Sequence, residues 1–246
     1  MTGYNYQIVS AWGGPAASPA QIGAKFLRML DALSVINPPC GIWTVPMGRE
    51  DFEPQPLDNV RADFTRFVEG NFAFVTGFEP DPDDGYSLVA AINFRDPESS
   101  PAMSFFLTEG SPTNNTNAFE IGSAYDPPDP EAITYPLYKA VLLTMLSIWP
   151  APWANASVSQ WGEKPVGPGG TPFPQSPYQM PWMAYLCAER AARLYPPPGV
   201  PTERTPDGGL LMIAADTRFD PTNAEHMARS RILAEILIAH GGDPIR

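Results

Sequence analysis

The sequence predicts an α+β fold: a mainly antiparallel sheet of about five to seven strands packed against three or four helices, with long proline-rich loops. Three observations predict it. Short apolar or alternating runs follow one another in series through the middle of the chain, without the strand–helix alternation of a parallel sheet. Helical spacing with recognisable caps falls toward both ends. The chain has 31 prolines in 246 residues, well above the usual ~5%, and they lie between the periodic segments. Hydrophobic residues make up 43%, enough for a core, and charged residues only 17%, below the usual one in about four. That balance excludes a solvated, disordered chain. No internal repeat or clean boundary shows, so residues 1–246 read as a single domain.

The elements follow in order. Tyr4, Tyr6 and Ile8 share one face of a strand over Tyr4–Ser10. Ser18-Pro19-Ala20-Gln21 is a capping box with proline at the first helical position. Ile22, Phe26, Leu30 and Leu33 then keep helical spacing until Asn37-Pro38-Pro39 ends the helix. A second helix spans Leu57–Glu69, with Val60, Phe64, Phe67 and Val68 on one face and Gly70 as its stop. Asn71–Phe78 and Tyr86–Phe94 read as a hairpin with a long acidic tip over Glu79–Gly85. Met103–Thr108 and Ala118–Ala124 are two more strands, joined by a polar loop over Ser111–Asn117. Thr134–Trp149 is a third long helix, with Leu137, Val141, Met145 and Ile148 facing inward. Ala156–Trp161 is a strand, Lys164–Pro181 a long loop suited to a covering or functional role, and Pro181–Arg193 a short helix. Pro196-Pro197-Pro198 makes a rigid spacer. Gly209–Ala215 is a short buried strand. After it, Asn223 caps a last helix with Glu225 in the first turn, apolar positions Met227, Ile232, Leu233, Ile236 and Leu237, and Gly241 as its stop.

Chemistry is sparse. The net charge is −12 and the sequence pI near 4.5, which disfavours nucleic acid and anionic membranes and favours a basic partner. The two cysteines, Cys40 and Cys187, make no disulfide framework and fit a reducing, cytoplasmic setting. No secretory leader or membrane-spanning run shows. The two histidines, His226 and His240, stand on one helix about 20 Å apart, too far to share a metal. Cys40 has no local partner that would activate it. Gly-x-Ser-x-Gly, phosphate-loop, His-Glu-x-x-His and Cys-x-x-Cys patterns are absent. Neither a cofactor nor a metal is expected. Asp81, Asp83 and Asp84 lack the ligand order and closing glutamate of a calcium loop. They read as a solvated turn or a contact for a basic protein, as do Glu50, Asp51 and Glu53. Asp216 and Asp220 flank Arg218 after a strand, so a salt-bridged structural corner is favoured over acid–base catalysis. Trp12, Trp182 and Tyr185 border proline- and glycine-rich loops, where aromatics could anchor an interface; the other reading is core.

One set of residues carries a resemblance. An aromatic strand runs into Trp12-Gly13-Gly14-Pro15, and Trp43 follows a Pro-Pro pair. Mid-chain come Ile148-Trp149-Pro150, Trp153 and Ser157. Trp182-Met183-Ala184-Tyr185-Leu186 matches a Trp-x-x-Tyr-Leu signature. Asp216-x-Arg218-Phe219-Asp220 and His226 complete the order. Together these resemble the immunity protein 52 family of bacterial polymorphic toxin systems. An arginine expected after the first Trp-Gly is replaced here by Gly14, Pro15 and Ala16. The resemblance implies a non-enzymatic antitoxin. Such a protein binds a cognate restriction-endonuclease-like nuclease toxin of a contact-dependent or type VI secretion system and covers its basic DNA-binding and active face. Trp43, Trp153, Asp216, Arg218, Phe219, Asp220 and His226 would be structural signature residues. Glu50, Asp51, Glu53, Asp81, Asp83, Asp84, Trp12, Trp182 and Tyr185 would be the contact candidates. Two other classes stand beside it: a small hydrolase using Asp216, Asp220 and His226, and a secretion-system adaptor.

Overall fold

The structure is a computed structural model that describes residues 4–13, 17–37, 43–46, 54–71, 85–92, 103–111, 115–121, 133–160 and 180–241. In chain order the elements are β1 (Tyr4–Trp12), α1 (Pro19–Ile36), β2 (Thr44–Pro46), β3 (Pro54–Pro56), α2 (Leu57–Arg61), α3 (Phe64–Glu69), β4 (Tyr86–Ile92), β5 (Met103–Glu109), β6 (Asn115–Ile121), α4 (Tyr135–Ile148), β7 (Trp153–Gln160), β8 (Met180–Leu186), α5 (Ala188–Ala191), β9 (Thr202–Arg204), β10 (Leu210–Ile213) and α6 (Ala224–Ile236), which runs into a π-helical turn over Leu237–Gly241. The class is α+β, with antiparallel pairing of β2 with β3 and β4, β4 with β5, β7 with β8, and β10 with β8 and β9. Ten strands and six α-helices are described, more than the sequence suggests, because three strands span three residues and three helices four to six. Such lengths show no period.

The chain divides into two compact units where the sequence reads as one domain. The first comprises Met1–Ser10 with Ile121–Arg246, and the second Ala11–Glu120.

In the second unit the strands lie in the order β3-β2-β4-β5-β6. Helix α1 starts as expected. The Ser18 side chain accepts from the Gln21 N–H, Gln21 Oε1 accepts from the Ser18 N–H, and Pro19 opens the first turn. Its buried stripe of Ile22, Phe26, Met29, Leu30 and Leu33 packs on the sheet and on α3, with the Phe26 ring 5.4 Å from Phe105 and 5.8 Å from Phe64. A Cβ at Gly23 would lie 3.1 Å from the Phe64 ring, so glycine lets α1 and α3 approach closely. The single helix expected over Leu57–Glu69 is two, α2 and α3. Asp63 sits between them at φ −128°, ψ 45°, outside helical backbone, in keeping with the preference of Asp for helix ends. The short outer strand β3 carries Pro54 and Pro56, which suits an edge.

In the first unit the order is β1-β7-β8-β10-β9. The helix expected over Pro181–Arg193 is instead β8 followed by the four-residue α5. Every residue of β8 is buried, so no polar alternation marks it as a strand, and a short apolar run gives the same signal as a buried helix. Pro181 lacks an N–H, yet β8 lies between β7 and β10. A register shift accommodates it: Ala156 pairs with Met183 and Ser157 with Pro181, leaving Trp182 as the extra residue. Helix α4 is capped by the Thr134 hydroxyl and buries Tyr138, Val141, Leu142, Met145 and Ile148. Helix α6 begins where expected, with the Asn223 side chain accepting from the Glu225 and His226 N–H groups.

All but Asn71 of the expected strand over Asn71–Phe78, all but Gly85 of the acidic tip and most of the Lys164–Pro181 loop lie outside the described residues.

Candidate functional site

Of the signature residues, Trp153, Asp216, Arg218, Phe219, Asp220 and His226 belong to the first unit and Trp43 to the second; the bulge in β8 places Trp182 in the first unit. Trp182, fully buried, donates its indole N–H to the Ala215 carbonyl at 2.9 Å, and its backbone carbonyl accepts from the Ala214 N–H at 2.8 Å. These two bonds pin the chain as it leaves β10. The Trp182 ring lies 5.1 Å from Tyr138, 6.1 Å from Tyr6 and 6.5 Å from Tyr135. Tyr138 donates its hydroxyl to the Tyr6 carbonyl, and Tyr6 donates its own to the Phe219 carbonyl, each at 3.0 Å. Strand β1, helix α4, strand β8 and the corner after β10 are thus tied through one aromatic cluster. Burial pushes the Tyr6 hydroxyl pKa up, against the Arg218 guanidinium beside it.

The corner keeps Phe219 in the core and turns Asp216, Arg218 and Asp220 outward. The mutual salt bridge expected there is replaced by local bonds. Asp220 Oδ1 accepts from the Thr222 N–H at 2.8 Å and the Thr222 hydroxyl at 2.7 Å, and these bonds hold the carboxyl below its usual range. Arg218 acts on it only as a nearby charge and lies against Tyr6. His226 Nδ1 accepts from the Asp220 N–H at 3.1 Å, with its ring 5.7 Å from Phe219. Asp220 Oδ1 and His226 Nδ1 are therefore committed to shaping a helix start.

A second polar knot closes the β9–β10 hairpin. Asp207 Oδ1 accepts from Thr205 Oγ1 at 2.5 Å and from the Gly209 N–H at 3.4 Å, while Tyr185 donates its hydroxyl to Asp207 Oδ2. Burial raises the Asp207 pKa, but these bonds outweigh it and hold the carboxyl below its ordinary value. Burial and the same carboxylate push the Tyr185 phenol up. A Cβ at Gly209 would lie 2.4 Å from the Tyr185 ring and 2.8 Å from both Leu186 O and Thr205 Oγ1, so only glycine fits. Sequence reading missed Asp207; the Asp207-Gly208-Gly209 turn before an apolar run was the signal that could have found it.

The structure therefore corrects two contact candidates. Trp182 is 0% and Tyr185 1% exposed, so their rings are core rather than surface anchors. Trp12 is half-buried at the end of β1. Trp43 and Trp153 are buried. Glu50, Asp51, Glu53, Asp81, Asp83 and Asp84 lie outside the described residues, as does Cys40. Among the described residues no group of three or more His, Cys, Asp or Glu side chains could hold a metal, and no helix is long and apolar enough to cross a membrane.

The acidity is unevenly distributed. Ala11–Glu120 holds fifteen acidic against six basic residues, a net −9, and the remainder twelve against nine, a net −3.

The fold and these sites define an α+β protein whose polar corners serve its architecture. No protein-family model matches the chain, and no curated protein matches it. Among solved structures its fold is similar to that of the Pseudomonas aeruginosa T6SS protein PA0821, with a TM-score of 0.55 at 10% identity, over 96% of this chain and 73% of that one.

Proposed function

We propose that this chain is an immunity protein. It binds a cognate restriction-endonuclease-like nuclease toxin of a contact-dependent or type VI secretion system and neutralises it by covering its basic DNA-binding and active face. The observation that carries the reading is the fold shared with a T6SS protein across 96% of the chain. Charge supports the choice of target. A nuclease needs a basic face for phosphates, and a chain of net −12 is attracted to that face over long range. In this reading the chain performs no catalysis, works in the cytoplasm that the toxin enters, and binds protein rather than nucleic acid.

The test is co-expression in a bacterial host. The nuclease domain encoded beside this gene, produced alone, degrades host DNA and stops growth. Co-production of this chain restores both DNA integrity and growth. Undiminished DNA degradation with the chain present in soluble form would overturn the reading.

A further inference from the structure

We infer that the outer face of the β4–β5 ladder in the second unit, centred on Phe106, is the surface that docks a basic protein partner; this rests on the immunity reading and names its contact. The ladder has two faces. Leu88, Ala90 and Ile92 pair with Leu107, Phe105 and Met103 and are buried. Phe26 of α1 packs on Phe105, and α3 packs on β4. The alternate positions pair Ser87 with Thr108, Val89 with Phe106 and Ala91 with Ser104. Strand alternation places these six on the opposite face. There Phe106 is 40% exposed, Ser87, Val89, Ala91 and Thr108 are half-buried, and Ser104 is buried. A solvated strand face carries charged or long polar side chains, whereas these six positions hold none, and an aromatic side chain stands at the centre. An uncharged patch with a central aromatic is the make-up of an interface core.

Charge complementarity selects the occupant. This face belongs to the unit with the net −9, three quarters of the chain's excess. A unit of that net charge attracts a basic protein, and the uncharged face suits an apolar side chain that such a partner presents. A second copy of this chain would bring like charge against like.

The experiment titrates the full chain with the nuclease domain by calorimetry and compares Phe106→Ala, Phe106→Lys and Tyr195→Ala. Tyr195, 94% exposed in the near-neutral unit, serves as the control aromatic. Phe106→Ala should weaken binding by about 30-fold, the loss typical of an interface anchor, and Phe106→Lys by more. Tyr195→Ala should stay within about twofold. Hydroxyl-radical labelling of the wild-type chain gives an independent reading: Phe106 should be labelled when free and protected in the complex. A tight wild-type complex with unchanged labelling at Phe106, or with Phe106→Ala within twofold, would overturn the docking face alone. No complex with the wild-type chain would overturn the immunity reading and this inference with it.

Discussion

Replacing Trp182 with phenylalanine distinguishes a core residue from a contact residue. The substitution removes the indole N–H that the buried Ala215 carbonyl accepts at 2.9 Å. An acceptor left unpaired in the interior costs about 1–3 kcal/mol. The smaller ring also leaves a void beside Tyr138 and Tyr6, whose rings lie 5.1 and 6.1 Å from the indole, and this adds about 1–2 kcal/mol. The expected total is about 2–5 kcal/mol, a large share of a typical domain's stability. Urea unfolding followed by circular dichroism reads it as a lower midpoint at unchanged slope. The binding affinity of the remaining folded chain for its partner should be unchanged. A stability loss under about 0.5 kcal/mol, accompanied by weaker binding, would refute the reasoning and return Trp182 to the surface.

Three further outcomes follow from the same geometry. Gly209→Ala should cost about 1–3 kcal/mol, because its Cβ would meet Tyr185, Leu186 O and Thr205 Oγ1 inside contact distance; a melting temperature equal to wild type would sink the close-approach argument. Asp207 and Asp220 both have folded pKa values below the ordinary carboxylate value. Their contribution to stability is therefore present above about pH 4 and is lost as pH falls through the lower folded values. Asp207→Asn should flatten the decline in urea midpoint below pH 4, and an unaltered slope would count against the knot. Both amide atoms of Asn155 are buried without a hydrogen-bond partner, so Asn155→Leu should be neutral or stabilising by up to about 2 kcal/mol, whereas a clear drop in midpoint would mean that the amide is satisfied in solution.

The elements legible in the sequence are those whose ends carry chemistry. Ser18 with Gln21, Thr134 and Asn223 each cap a helix where the spacing places it. Strands β4 and β5 were legible as apolar and aromatic runs. Strand β8 was not, because its seven residues are all buried and a proline stands second; the bulge that admits Pro181 is a property of two strands together. The break at Asp63 was hidden because Val60, Phe64, Phe67 and Val68 keep helical spacing across it. At the candidate site, the structural role of the Asp216–Asp220 corner was legible but its bonds were not: a salt bridge through Arg218 was expected, and Thr222 and His226 hold Asp220 instead. The burial of Trp182 and Tyr185 was not legible, since it depends on Tyr6 and Tyr138, far away in the chain.

That burial bears on what the tryptophan pattern can report. Trp43, Trp149, Trp153, Trp182 and Tyr185 are all at most 3% exposed, so a substitution at any of them acts through packing and hydrogen bonding. A shared pattern of such residues specifies an architecture, while partner choice has to reside in side chains that reach solvent. Antitoxins must tell one toxin from another, and discrimination is a difference in surface contacts. In the proposed immunity reading, the two requirements fall on different residues. The aromatic cluster and its capped corner hold the first unit, whereas most of the excess charge and the exposed Phe106 belong to the second. Substitution in the second unit's uncharged strand face should therefore change partner affinity with little change in stability, and substitution in the cluster should do the reverse.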